Sequence, residues 1–195
     1  MISKKQLWVL VGGNGAGKST FYSRYLEPRG LPFVNADIIA RQTYPDAPEA
    51  HSYEAAKLAE QMRSELLLSG VSFCFETVYS HPSKIDFVAQ AKSLGYEVIM
   101  VVVHLETAEL NQARIAERVT EGGHFVPEEK VVSRIPRTLR HIKISIPLCD
   151  RVQVYDNSFE DAPFRLVFSV AEGMVTRYHN HLPKWAEELL DDSDL

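Results

Sequence analysis

Short apolar runs alternate along the chain with longer stretches in which apolar residues recur every three or four positions, the pattern of a parallel sheet covered by helices on both faces. Five runs read as strands: Gln6 to Val11, Pro32 to Asn35, Val71 to Phe75, Glu97 to Val103 and Arg151 to Tyr155. The fourth contains Val98-Ile99-Met100-Val101-Val102-Val103 with no polar alternation, which suits a central strand buried on both sides. Between the second and third runs, Ala55, Ala59, Met62 and Leu66 repeat at helical spacing, and Gly70 stops that helix. Ser83-x-x-Asp86 reads as a capping box with the shorter acid, and Gly95 ends the helix it starts. Thr107 caps a helix running to about Glu121, and Gly122-Gly123-His124 breaks it. Pro127 fits the first position of the next helix, with Glu128 and Glu129 in its positive first turn. From Phe164 the chain reads as a hairpin turning near Glu172-Gly173 at the far edge of the sheet. A short helix around Trp185 and a solvated acidic tail, Asp191-Asp192-Ser193-Asp194, follow.

The fold class expected is therefore a three-layer α/β sandwich: a five-stranded, mainly parallel sheet with helices on both faces and a C-terminal hairpin. The 195 residues, with 45% hydrophobic and 24% charged content and no internal repeat or linker, read as one domain spanning 1–195. A net charge of -5 argues against general adhesion to nucleic acid or to an anionic membrane. Cys74 and Cys149 are the two cysteines, and the expectation is no disulfide and a reducing, cytoplasmic setting. The apolar stretch near the N-terminus runs straight into a glycine-rich loop, so it reads as a first core strand and not as a signal peptide or membrane span.

That loop is Gly12-Gly13-Asn14-Gly15-Ala16-Gly17-Lys18-Ser19-Thr20, a match to G-x-x-x-x-G-K-[ST] between a strand and a helix expected over Ser19 to Leu26. Its glycines let successive backbone N–H groups turn toward one anion, at a helix N-terminus that also favours negative charge. Lys18 spans the β- and γ-phosphates of a nucleoside triphosphate, and the Ser19 hydroxyl ligates Mg²⁺.

Ligands of open α/β sheets gather at the carboxyl ends of the strands, which selects Asp37, Glu76, Thr77, His104, Glu106 and Asp156-Asn157-Ser158. Asp37 has two readings: a general base accepting a proton from a substrate hydroxyl, or the N-cap of Ile38-Ile39-Ala40-Arg41. Glu76 holds a Mg²⁺ water or contacts substrate, or else pairs with a nearby cation. Past these, Arg114 and Arg118 lie four apart on one helix face, followed beyond the glycine break by Arg134, Arg137 and Arg140. Two arginine-bearing helices over a phosphate loop form a closing lid at about 111–140, in which a guanidinium stabilises charge on the transferring group. The competing reading is a solvated face, with Arg114 paired to Glu117 and Arg118 to Glu121. His124 reads as a bystander, and the histidines and cysteines have no transition-metal spacing.

Leu68-Ser69-Gly70-Val71 departs from the second signature of ABC transporter ATPases, and no guanine motif of the Asn/Thr-Lys-x-Asp type is present, which leaves a small kinase. Phosphate loop, Asn35-Ala36-Asp37-Ile38-Ile39-Ala40, Phe75-Glu76-Thr77, Glu109-Leu110-Asn111, Arg118-Val119-x-x-Gly122-Gly123-His124-x-Val126-Pro127, Arg134-x-x-Arg137 and Tyr155-Asp156-Asn157-Ser158 together resemble the zeta toxin family of P-loop kinases, in particular its small stand-alone branch. The resemblance implies a kinase using ATP or GTP with Mg²⁺, and for the toxins proper phosphorylation of the 3′-hydroxyl of the sugar in UDP-N-acetylglucosamine, held in check by an antitoxin. It implies Lys18 and Ser19 for phosphates and metal, Asp37 as base, Glu76 and Thr77 for substrate, Arg118 and Arg134 as lid arginines, and Asn157 near the base of the nucleotide. Where the toxins carry threonine and arginine two and four places after that glutamate, this chain has Val78 and Ser80. Two further functions compete: a metabolic or nucleoside kinase without a toxic role, and a nucleotide-dependent binding module that transfers nothing.

Overall fold

The computed structural model describes residues 4–120 and 126–190, and its strands form one seven-stranded sheet in the order β2-β3-β1-β4-β5-β6-β7. The first five by sequence, β1 (Gln6–Val11), β2 (Phe33–Val34), β3 (Phe73–Thr77), β4 (Glu97–His104) and β5 (Arg151–Asp156), are parallel. The expected hairpin, β6 (Arg165–Ala171) and β7 (Met174–Arg177), extends the same sheet antiparallel from β5, so the sheet has seven strands in place of five. β4 is buried along its length after Glu97, as its unbroken apolar run required. β3 begins two residues later than expected and ends on Glu76 and Thr77, because Val71 is used to close the preceding helix: its N–H donates to the Leu66 carbonyl and its carbonyl accepts from the Tyr96 hydroxyl.

The helices are α1 (Lys18–Phe21), α2 (Ala36–Thr43), α3 (Ser52–Leu68), α4 (Ser83–Ser93), α5 (Ala108–Thr120), α6 (Glu128–Ser145) and α7 (Lys184–Glu187). Four details differ from the sequence reading. The helix after the phosphate loop is α-helical only to Phe21, then widens into a π turn over Tyr22–Leu26, which stacks Tyr22 on Phe33 with ring centroids 3.5 Å apart. The buried stripe of α3 is Ala55, Ala59, Arg63 and Leu67, while Met62 is exposed; the helix follows its packing surface at i+4 steps and so carries an arginine inward. The Ser83–Asp86 capping box does not form, since Pro82 holds the N-cap position and the Ser83 hydroxyl is engaged with His81 Nδ1. Pro127 is the N-cap of α6 and not its first residue. Thr107 does cap α5, accepting from the Leu110 N–H at 3.4 Å; the Gly122-Gly123-His124 break, Glu121 and the acidic tail lie outside the described residues.

One core layer joins Leu7, Val9, Phe73, Phe75, Val98 and Met100 of the sheet to α3, α4, α6 and the C-terminal Trp185 region. The opposite face packs Trp8, Leu10, Ile99 and Val101 under Phe21, Leu26 and Phe164. A third, small cluster of Ile115, Val126, Val131 and Ile135 joins α5, Val126 just before α6, and the first half of α6. Cys74 and Cys149 are free thiols, and among the described residues no helix is long and apolar enough to cross a membrane.

The loop from β3 to α4 is fixed by α6. Thr138 Oγ1 donates to the Val78 carbonyl at 2.8 Å, His141 Nδ1 meets the Tyr79 carbonyl at 3.0 Å, and the Tyr79 hydroxyl lies 2.7 Å from Ser145 Oγ. Tyr79 itself is fully buried with φ 66, a left-handed conformation that a bulky side chain adopts only when its surroundings hold it there. Replacing Tyr79 by Phe keeps the packing but strands the Ser145 hydroxyl, and is expected to lower unfolding free energy by about 1–2 kcal/mol in a urea titration.

Candidate active site

The phosphate loop is built by close approach. Gly17 has φ 97, and a Cβ there would fall 2.5 Å from Asn157 Nδ2. That amide donates to the Ala16 carbonyl at 2.9 Å, and Asn157 Oδ1 accepts the Phe164 N–H at 3.2 Å. Gly15, at φ 77, is pressed as closely onto the α5 backbone, where a Cβ would stand 2.5 Å from the Asn111 carbonyl oxygen. Asn111 Nδ2 donates to the Asn14 carbonyl at 2.6 Å. The loop is thus pinned from β5 on one side and α5 on the other, with Gly12 N–H bonded to the Thr77 carbonyl at its base.

Lys18 is buried, its ammonium donating to the Gly13 carbonyl at 2.9 Å and lying 3.6 Å from Glu76 Oε1. The other carboxylate oxygen of Glu76 accepts from Ser19 Oγ at 3.1 Å and from Asn35 Nδ2 at 2.8 Å. Asn35 in turn caps α2, its Oδ1 accepting the N–H groups of Asp37 and Ile38. Three candidates chosen at strand ends or in the loop, Lys18, Ser19 and Glu76, therefore meet at one point. The ion-pair reading of Glu76 is realised together with its contact to Ser19.

Asn35 was missed as a functional residue, and it displaces the capping reading of Asp37. Asp37 sits one step inside the helix, exposed, and among the described residues its carboxylate has no hydrogen-bond or ion-pair partner. The signal for Asn35 was present in the preference of Asn for N-cap positions, but two adjacent capping residues compete and only backbone geometry chooses between them. Asn111 was likewise given no role; a polar residue on the buried stripe of an amphipathic helix, four before Ile115, is the pattern that finds it.

Of the arginines expected in a lid, Arg134 is placed on the loop, with Nη1 3.4 Å from Asn14 Oδ1. Arg118 is half-buried in the last turn of α5, and Arg114 makes no ion pair with Glu117. Thr20 is exposed, and the Thr77 hydroxyl accepts the Tyr79 N–H at 3.0 Å. Asp156 and Ser158 serve the loop that carries Asn157: Arg165 Nη2 donates to Asp156 at 2.8 Å, and Ser158 Oγ accepts the Glu106 N–H at 2.8 Å. His104 lies buried against Trp185, and burial pushes its pKa down to about 4 against a weaker upward pull from Asp156.

The family model described as an AAA domain matches residues 7–140. An uncharacterized protein of Haemophilus influenzae is 31% identical over 138 residues, 67% of this chain and 98% of that protein. The crystal structure of AvrRxo1-ORF1:-ORF2 with ATP has a TM-score of 0.70 at 19% identity, covering 90% of this chain and 61% of that one. A structure of the PezAT chromosomal toxin-antitoxin system of Streptococcus pneumoniae has a TM-score of 0.66 at 20% identity, covering 96% of this chain and 78% of that one. This chain thus spans about three fifths of the length of the first of these solved chains. At these identities the likeness shows a shared fold, the α/β P-loop kinase-like class with a mostly parallel sheet.

Two outcomes follow from this geometry. Asn35→Ala is expected to lose about 1 kcal/mol of stability with the α2 cap, read by chemical unfolding. Because His104 has a folded pKa of about 4 against an ordinary 6.5, the unfolded chain binds the proton first as pH falls. Its contribution is complete above about pH 6.5 and disappears as pH drops toward 4, of order 2–3 kcal/mol. His104→Phe is expected to flatten unfolding free energy over that window.

Proposed function

The chain belongs to the AAA domain family, and from that premise we propose that it is an ATP-dependent small-molecule kinase that moves the γ-phosphoryl group onto a substrate hydroxyl. The observation that carries this reading is the contrast between two acids at one site. Glu76 is committed to Lys18, Ser19 and Asn35, whereas Asp37, one hydrogen-bonded link away through Asn35, leaves its carboxylate open to an incoming group.

In this reading the loop N–H groups of Gly12, Gly13, Asn14, Gly15, Ala16, Gly17, Lys18, Ser19 and Thr20 cradle the phosphates. Lys18 exchanges the Gly13 carbonyl for β- and γ-phosphate oxygens, and Asn157 stands near the base of the nucleotide, with GTP as the alternative to ATP. Asp37 accepts the proton of the acceptor hydroxyl while the new O–P bond forms and the bond from the γ-phosphorus to the bridging oxygen breaks, releasing the nucleoside diphosphate. Arg134 and Arg118 stabilise charge on the transferring group, and Glu76 and Thr77 orient the acceptor. Magnesium suits the donor set: Ser19 would hold it directly and Glu76 through a water, both hard oxygen ligands 3.1 Å apart that leave positions for phosphate oxygens. Bound there, it would neutralise charge on those oxygens.

We assign one domain to residues 1–195, with a lid over 111–140 whose moving part ends near Pro136. That proline interrupts the hydrogen bonding of α6 just before Thr138 and His141 tie the helix down. The small cluster Ile115, Val126, Val131 and Ile135 holds α5 and the start of α6 together beyond the Asn111 contact that pins the loop. Among hydroxylated acceptors UDP-N-acetylglucosamine is the first to test, and an antitoxin is the partner to seek; the AvrRxo1 and PezAT neighbours belong to an ORF1:ORF2 complex and a toxin-antitoxin system.

The protein and its Asp37→Asn variant are to be incubated with Mg²⁺, ATP and a panel of hydroxylated metabolites headed by UDP-N-acetylglucosamine, with mass spectrometry detecting one added phosphate. The expected result is a product whose rate falls by about 10² to 10⁴ in the variant at unchanged ATP affinity. Turnover intact in the folded variant removes Asp37 as base. ATP binding without any product across the panel favours the binding module.

A further inference from the structure

The buried face of α3 carries a charged side chain with no ion-pair partner among the described residues. Arg63 is only 6% exposed, its guanidinium carbon 5.1 Å from the ring centroid of Phe75 and 5.6 Å from that of Phe87. Its Nε is buried without a hydrogen-bond partner, and it forms no ion pair among the described residues. Glu60, one turn earlier on the same helix, is exposed and does not close on it. Isolating a charge in this way is costly unless something neutralises it.

A second cation stands beside the first. Lys84 lies in the first turn of α4, three residues before Phe87 and so on the same helix face. It is half-buried, and among the described residues its ammonium donates to Ser83 Oγ, at 3.4 Å, and makes no ion pair. The first turn of a helix is the wrong end for a lysine, since the macrodipole already presents positive charge there. Asp86, the acid of that turn, is exposed and two residues away, hence on another face. Burial lowers the pKa of both cations and Arg63 lowers that of Lys84 further, against a weaker upward pull on each from the exposed Glu60. The Lys84 carbonyl accepts the Tyr79 hydroxyl at 3.3 Å, which fixes this corner to the loop that begins immediately after Glu76 and Thr77.

We propose that Arg63 and Lys84 form a phosphate-binding subsite, and that the acceptor is a phosphorylated alcohol held there by the phosphate it already carries while a hydroxyl faces Asp37. A guanidinium and an ammonium beside two aromatic rings match one phosphoryl group in charge and hydrogen-bonding chemistry. The identity of the ligand as acceptor rests on the kinase reading above; the subsite does not.

Inorganic phosphate is the probe, titrated at constant ionic strength into protein whose phosphate loop is saturated with a non-hydrolysable ATP analogue. Binding is followed by ³¹P line broadening and by the shift in Tm. The expected result is saturable binding that weakens by about tenfold to a hundredfold in Arg63→Met and in Lys84→Gln, with partial recovery in Arg63→Lys and analogue affinity held within about twofold. In phosphate-free buffer Arg63→Met should be at least as stable as the unmutated protein, because an uncompensated buried charge is removed. Phosphate binding that is absent, or equal in all four proteins, overturns the subsite. So does an Arg63→Met variant that is destabilised without phosphate while Lys84→Gln binds phosphate normally, which would make Arg63 a packing residue. Phosphate binding lost in both variants together with no ATP turnover on any acceptor would leave the subsite standing and overturn the kinase.

Discussion

The site depends on one buried cation. Lys18 is carried inside by the turn from the phosphate loop into α1, and a lysine so placed must have a counter-charge when no phosphate is present. Glu76 supplies it, and through its second oxygen the same carboxylate gathers Ser19 and Asn35. Strand register makes this meeting possible: β1 and β3 run parallel with Leu10 opposite Glu76 and Val11 opposite Thr77, so the end of one strand delivers the loop and the end of the other delivers the acid. Beside it, the carboxylate of Asp37 has no hydrogen-bond or ion-pair partner among the described residues.

The lid reading is sharpened by where α6 is held. Its lower half is locked to the β3–α4 loop and into the core through Thr138, His141, Ile142 and Ser145. Its upper half packs with α5 around Ile115, Val126, Val131 and Ile135. One helix therefore carries residues tied to the β3–α4 loop and residues packed on α5, with Pro136 between them. Arg134, on the upper side of that boundary, touches Asn14, whereas Arg137 and Arg140 lie on the anchored side and are not brought to the loop. A run of arginines at helical spacing is thus divided by tertiary anchoring, which sets Arg134 against Asn14.

The strands were readable because their pattern is physical: a run with no polar alternation has nowhere to go but between two helical layers, as β4 shows. The phosphate loop was readable because its glycines answer close approaches, of the Asn111 carbonyl to Gly15 and of the Asn157 amide to Gly17, that would stand 2.5 Å from a Cβ. Capping was not readable at the same grain. Asn35 and Asp37 are both good caps, as Ser83 is, and which of them caps depended on where the preceding strand or loop released the chain. The inward face of α3 was misread for a similar reason: with Met62 and Arg63 adjacent, hydropathy favours methionine, but the helix turns the position its neighbours leave room for, and two phenylalanine rings accept a guanidinium.

The sequence by itself determined the fold class, the phosphate loop and the set of acids and arginines from which a site could be drawn, because each rests on local spacing along the chain. Tertiary structure alone decided how those residues divide their work. Contacts between Glu76 and Lys18, Asn35 and Asp37, or Arg63 and Phe87 join residues far apart or choose between near neighbours, and no periodicity along one segment records where another segment comes to rest.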